Sequence, residues 1–367
     1  MTADPARRPG RALAAAETCV QAGLFQAARG LLSTAEAGAL DEIQRAHVEL
    51  LHGQIALFST LAGDALPLLM KAAQHLERLD ARLARDTYLD AWGAALLAGR
   101  LSTSGGLLEV SRAARCAPHP DGPSRPSDLL LDSLATLITE GREAATPLLE
   151  EATQTFAEES TTEASRRWGW LTVVPTYALW DEKSAYAICA RQLKAVRHEG
   201  ALARLTLDLG TFDLLAVRCG DFAGAEGAIA EADALSEATG VGMGAVSAMR
   251  LAAFRGSDEA EALIESVRQE AFAAGQGVYV ELTEWLLALL YNGVRRYNDA
   301  VAAANVAREN RPGELFVSAW TAMELLEAAT KTDNLEVAGS ALERIVASTA
   351  CSRTDSAREA SLVLVRL

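Results

Sequence analysis

Gly220-Asp221-Phe222-Ala223-Gly224-Ala225 is one copy of a motif that returns at Gly23-Leu24-Phe25-Gln26-Ala27-Ala28 and at Gly293-Val294-Arg295-Arg296-Tyr297-Asn298-Asp299-Ala300. A glycine able to take a left-handed backbone closes one helix, and small residues after it let the next helix pack closely. Gly63-Asp64-Ala65, Gly141-Arg142-Glu143-Ala144-Ala145 and Gly256-Ser257-Asp258-Glu259-Ala260 keep the spacing. Leu179-Trp180-Asp181-Glu182 and Lys331-Thr332-Asp333-Asn334 hold the place without the glycine. The motif returns about every 36 to 40 residues, the period of a stacked helical-hairpin array. One hairpin cannot bury its apolar face alone, so neighbours must stack and curl into a superhelix with a concave inner surface.

The expected fold is therefore all-α, an α-solenoid of tetratricopeptide-like helical hairpins wound as a right-handed superhelix. Composition agrees. The chain has 367 residues, 50% of them hydrophobic and only 5% aromatic, so its core must be built mainly from Ala, Leu and Val. No period-two run of β-branched and aromatic residues argues for a sheet. The array divides into N-terminal hairpins over residues 1–116, a loop over 117–127 containing Pro118, Pro120, Pro123 and Pro126, and C-terminal hairpins over 128–367. The prolines cannot continue a helix, and the loop is read as a long turn or a hinge within one continuous solenoid.

A formal net charge of −15, without a basic stripe, argues against direct nucleic-acid binding. Cys19, Cys116, Cys189, Cys219 and Cys351 are dispersed, which reads as reduced thiols and a cytoplasmic location. The N-terminal residues carry no secretory pattern, and the apolar run Trp285–Tyr291 is too short to cross a bilayer. Thr239-Gly240-Val241-Gly242-Met243-Gly244 lacks the Lys-Ser/Thr of a phosphate loop and reads as a connector. His47 and His52 are five apart and fall on different helix faces, so no metal site is expected. No cofactor is implied.

Several segments, in order, carry a family resemblance: Leu40-Asp41-Glu42-Ile43-Gln44-Arg45-Ala46-His47-Val48-Glu49-Leu50-Leu51-His52-Gly53-Gln54-Ile55-Ala56, then Pro67–Ala73, Ala84–Ala91, Leu129–Asp132 with Leu137–Gly141, Leu179–Glu182, and Leu290–Gly293 with Arg296-Tyr297. They resemble the helical-repeat region of large ATP-binding LuxR-type transcription regulators of actinobacteria, related in plan to the MalT group. That resemblance implies a sensor array normally flanked by an ATPase module and a helix-turn-helix domain. Neither is expected here, since no G-x-x-x-x-G-K-[ST] occurs and the chain stops at Val363-Leu364-Val365-Arg366-Leu367 in what reads as an unfinished repeat. The chain is then either an excised domain or a free-standing repeat protein.

Aromatic residues with a few charges on the first helix of each hairpin can build an apolar pocket with sparse polar anchors. The candidate ligand-binding residues are Tyr88, Trp92, Trp170, Tyr177, Trp180, Arg250, Trp285 and Trp320. Pro175 is expected to kink the segment that carries Trp168, Trp170, Tyr177 and Trp180. Asp208, Asp213 and Glu281 are the candidate acid-base groups, because carboxylates near aromatics acquire raised pKa values. For any one ring the alternative is gap filling between alanine-rich helices. For the carboxylates it is solvation or a salt bridge between hairpins.

Three functions fit these readings. One is a sensor binding a small molecule or peptide in its groove. Another is a repeat protein recruited as a cofactor-free biosynthetic enzyme, of cyclase or isomerase type, or as a carrier in secondary metabolism. The third is a scaffold whose convex surface takes a protein partner. No membrane association is expected. Apolar residues in the last repeat make a homodimer possible.

Overall fold

The computed structural model describes residues 7–59, 62–102, 105–158, 163–199, 202–239, 244–308 and 315–352, together with Thr354 and Ala357. The connector over 240–243, the terminal 363–367 and the side chain of Arg166 lie outside the described residues.

The described residues are helical, without strands, and fall into successive antiparallel hairpins. In order these are α1 (Arg8–Gln21) with α2 (Phe25–Glu36), α3 (Glu42–Phe58) with α4 (Ala62–Leu76), and α5 (Ala81–Ala98) with α6 (Gly106–Cys116). Next come α7 (Pro126–Thr139) with α8 (Arg142–Glu158), and the broken α9 (Glu163–Trp168) and α10 (Val173–Ala178) with α11 (Glu182–Glu199). The last four pairs are α12 (Leu202–Arg218) with α13 (Phe222–Thr239), α14 (Gly244–Arg255) with α15 (Ala260–Ala273), α16 (Gly277–Gly293) with α17 (Tyr297–Arg308), and α18 (Phe316–Lys331) with α19 (Leu335–Thr349).

Local chemistry sets these boundaries. Asp41 and Gln44 form a reciprocal capping box at the start of α3, Asp80 caps α5 through the Leu83 N–H, and Pro126 opens α7. At the hairpin turns a left-handed residue recurs: Gly23, Gly99, Gly141, Gly220 and Gly256, then Trp180, Arg295 and Asp333. Two glycine expectations need correcting. Gly63 lies inside α4, and Gly293 is the last residue of α16 while Arg295 takes the left-handed position. Pro175 acts as expected. It cannot donate to Leu171, and the chain runs through a 3-10 turn over Gly169–Thr172 before α10.

The first helices form an inner layer and the second helices an outer one. Fourteen residues of the 18-residue α5 are buried, against three of the 11 in α6. A helix buried on all sides has neighbours all round. Inner helices pack on inner helices of adjacent hairpins, and also across the superhelix: α1 meets α12, α5 meets α16, and α10 meets α18. The bore is thereby filled by the chain itself. The accessible surface, 16314 Å², exceeds by about a sixth the roughly 14,000 Å² of a compact monomer of this mass.

The Pro-rich loop is tied down. Arg82 donates to the Asp121 carbonyl at 3.2 Å, and Arg125 reaches from the loop's end to Asp86 at 3.1 Å and Asp128 at 2.9 Å. Buried Arg85 joins α5 to α7 through Asp128 at 2.7 Å and Asp132 at 2.6 Å. The largest apolar cluster, from Leu50 to Trp320, contains residues from both sides of the loop.

Candidate functional site

Where α10, α12, α16 and α18 converge, three of the selected aromatics come together around a cation. Tyr177 meets Trp320 edge-on with ring centres 4.6 Å apart, and Trp320 lies 4.9 Å from Trp285, tilted by 44°. The Arg218 guanidinium stands 4.1 Å over Trp320 and 5.8 Å from both Tyr177 and Trp285. Phe254 of α14 closes one side at 5.9 Å from Trp285. Rings at these separations attract both one another and a cation, each contact being worth on the order of 1 kcal/mol.

Polar partners complete the cluster. Glu182, at the start of α11, pairs with Arg218. Asn292 donates to Glu324 Oε2 at 2.9 Å and to the Glu324 carbonyl at 3.0 Å, joining α16 to α18. Burial raises the Glu324 carboxyl to about 7, against the lowering effect of Asn292 and Arg218. Near neutral pH it is therefore shared between its acid and its anion. The Nε1–H of Trp285 and the Nε–H of Arg218 are buried without an acceptor.

The other selected residues are placed elsewhere. The Tyr88 hydroxyl donates to Glu77, just past the end of α4 in the preceding hairpin, at 2.6 Å, and the Trp92 indole to Ser111 of α6 in its own hairpin at 3.2 Å. Trp170 lies against Gly93 of α5, where an added Cβ would come within 2.8 Å of the ring. Trp180 donates to the Ser348 carbonyl at 3.0 Å. Arg250 is buried on α14 and donates to Asp213 at 2.6 Å and to the Gly210 carbonyl at 2.6 Å. Its neighbour Ser247 also donates to Asp213. Glu281 sits beside Gly99, apart from the other two carboxylates.

The expectation of an open groove is corrected by these positions. Tyr88, Trp92, Trp170, Tyr177, Trp180, Arg250, Trp285 and Trp320 are all buried, none more than 7% exposed. The physical reason is the close approach of inner helices across the bore, which Gly93, Gly99 and Gly277 permit. Asp208 and Asp213 are buried as well. Burial lifts Asp208 to about 6, with Arg204 pulling the other way, and raises Asp213 against its partners Arg250 and Ser247. Asp208 Oδ2 accepts from Arg204 at 3.3 Å while Oδ1 has no donor. As acid-base groups the two are out of reach of a substrate in this closed form.

Sequence reasoning overlooked Arg218, Asn292 and Arg100. Arg218 ends an inner helix next to Cys219-Gly220, where a cation also favours the helix C-terminus for dipole reasons alone. Arg100 donates to Glu284 Oε2 at 2.9 Å across the bore, a pairing over 184 residues that no local pattern announces. Among the described residues no cluster of three His, Cys, Asp or Glu side chains could hold a metal ion. No described helix is long and apolar enough to cross a membrane. No protein-family model matches the chain, and no curated protein matches it at a significant level.

Proposed function

We propose that this chain is a ligand-sensing helical-repeat module, of the kind found in the LuxR-type regulators it resembles. Its ligand site is the cage of Tyr177, Arg218, Trp285 and Trp320. The observation that carries the reading is the convergence of four inner helices from different hairpins on one aromatic and cationic cluster, with two buried donors left unsatisfied. Unsatisfied buried polar atoms are costly in a core that alanine and leucine would fill. A ligand gripping all four helices would alter how the two ends of the superhelix meet, and small rotations between repeats accumulate along a solenoid.

The test is retention of a compound. The purified protein is incubated with a metabolite extract, separated from free compounds, and the bound fraction analysed by mass spectrometry. The expected result is a compound recovered unchanged from the parent protein and absent from Trp320→Ala, with helicity retained by circular dichroism. A compound held equally by both proteins would place binding elsewhere. Conversion to a new product would overturn the sensor reading in favour of an enzyme.

A further inference from the structure

We propose that the cage selects small aromatic or planar carboxylates, anchored by the Arg218 guanidinium and the indole N–H of Trp285. The proposal rests on the reading of the cage as a ligand site and adds the chemistry of what it takes.

The argument starts from the donors. Trp285 is 1% exposed, and its indole nitrogen, which can only donate, has no acceptor. A buried tryptophan N–H ordinarily finds a partner. Arg218 donates through Nη2 to Glu182, while its Nε–H is buried and without an acceptor. The guanidinium carbon stands 5.8 Å from the Trp285 ring centre, so both donors belong to one cluster. A carboxylate has two oxygens with lone pairs enough for a guanidinium and a second N–H, and charge-assisted bonds of this kind are the strong ones.

The surroundings select against the alternatives. The face of Trp320 already carries the Arg218 guanidinium. A cationic ligand would have to displace Arg218 and then sit beside its charge. A neutral amide can satisfy one donor but gains no ion pair. The rings of Tyr177, Trp285, Trp320 and Phe254 pack on one another in this closed form, and they must part for a flat hydrocarbon part to lie between them. Access runs past the Arg218–Glu182 pair, whose side chains are 12% and 27% exposed. In the proposal, movement of these two side chains at the rim of an otherwise sealed cluster is the step that admits the ligand. The raised pKa of Glu324 keeps part of its carboxyl neutral near pH 7, which lessens the repulsion an incoming anion would meet.

The experiment titrates the full chain with phenylacetate, phenylacetamide and phenethylamine by calorimetry, and follows tryptophan fluorescence in parallel. Phenylacetate is expected to bind saturably and about tenfold or more tighter than the amide, with the amine weakest. Trp285→Phe keeps the ring and removes the donor. It is expected to weaken phenylacetate about tenfold, the worth of one hydrogen bond to a charged group, and to leave the amide nearly unchanged. Arg218→Lys keeps the charge but loses the fork, and is expected to weaken phenylacetate similarly. Trp170→Phe, outside the cage, serves as the control and is expected to bind normally. Equal affinities for acid and amide, or an unchanged Trp285→Phe, would overturn the carboxylate assignment and leave the cage standing as a site for another ligand. No saturable binding of phenylacetate at millimolar concentration would also overturn it. Should the extract then yield no Trp320-dependent compound, the cage itself would be lost as a site.

Discussion

Trp180 holds a backbone conformation, φ 56°, that most other hairpin turns give to glycine. For a bulky side chain the left-handed region costs about 1–2 kcal/mol. Contacts that glycine cannot make offset that cost: the indole is buried and donates to the Ser348 carbonyl of α19. Glu324 shows a different kind of tension. Its carboxyl titrates near 7 in the folded chain against an ordinary 4.5, so the folded state binds more protons than the unfolded one between those values. Stability from this group is accordingly present at acid pH, falls as pH rises from about 4.5 to 7, and then levels off. Glu324→Gln removes the titration and keeps an acceptor for Asn292. Urea unfolding should show it stabilising at pH 8 by about 1–3 kcal/mol and nearly neutral at pH 5. Equal effects at both pH values would contradict the assignment.

Among the helices, α5 and α16 decide how tightly the superhelix winds. A Cβ on Gly277 would stand 2.2 Å from the Ala98 carbonyl oxygen and 2.9 Å from the Arg100 nitrogen. Both obstacles are backbone, which cannot rotate away. Gly99 is also left-handed, φ 49°, and a Cβ there would lie 2.8 Å from the Val278 nitrogen. By contrast, a Cβ on Gly227, within α13, meets nothing within 4 Å. Denaturant unfolding should separate the two sites. Gly277→Val is expected to cost about 3 kcal/mol through overpacking, whereas Gly227→Ala should stabilise by about 0.5–1 kcal/mol through helix propensity. Comparable effects of the same sign would mean that the seam yields more readily than its geometry implies.

For the whole molecule, the closed bore is the property on which sensing would act. Arg100 and Glu284 pair across it, and Glu284 is only 5% exposed. Removing one partner strands the other charge, so Arg100→Met should lose about 3–5 kcal/mol while Arg100→Met/Glu284→Met recovers most of it. Small-angle scattering should show a larger radius of gyration for Arg100→Met than for the parent and the double variant. An unchanged radius with no coupling energy would show that closure does not depend on this pair.

Sequence alone determined the hairpin repeat, because turn glycines, small residues and helix period are local signals, repeated along the chain. Large rings stand out on alanine-rich inner helices, so Tyr177, Trp285 and Trp320 were legible as candidates, alongside Tyr88, Trp92, Trp170, Trp180 and Arg250. Their company was another matter. Arg218 and Asn292 carry no local mark, and Trp170 and Trp180 are of the same residue type as the cage rings yet pack against α5 and α19. Whether an inner surface is an open groove or a filled bore depends on how far each hairpin rotates on the last. That rotation is set by side-chain volume across helices far apart in the chain, and here three glycines let the opposing inner helices meet.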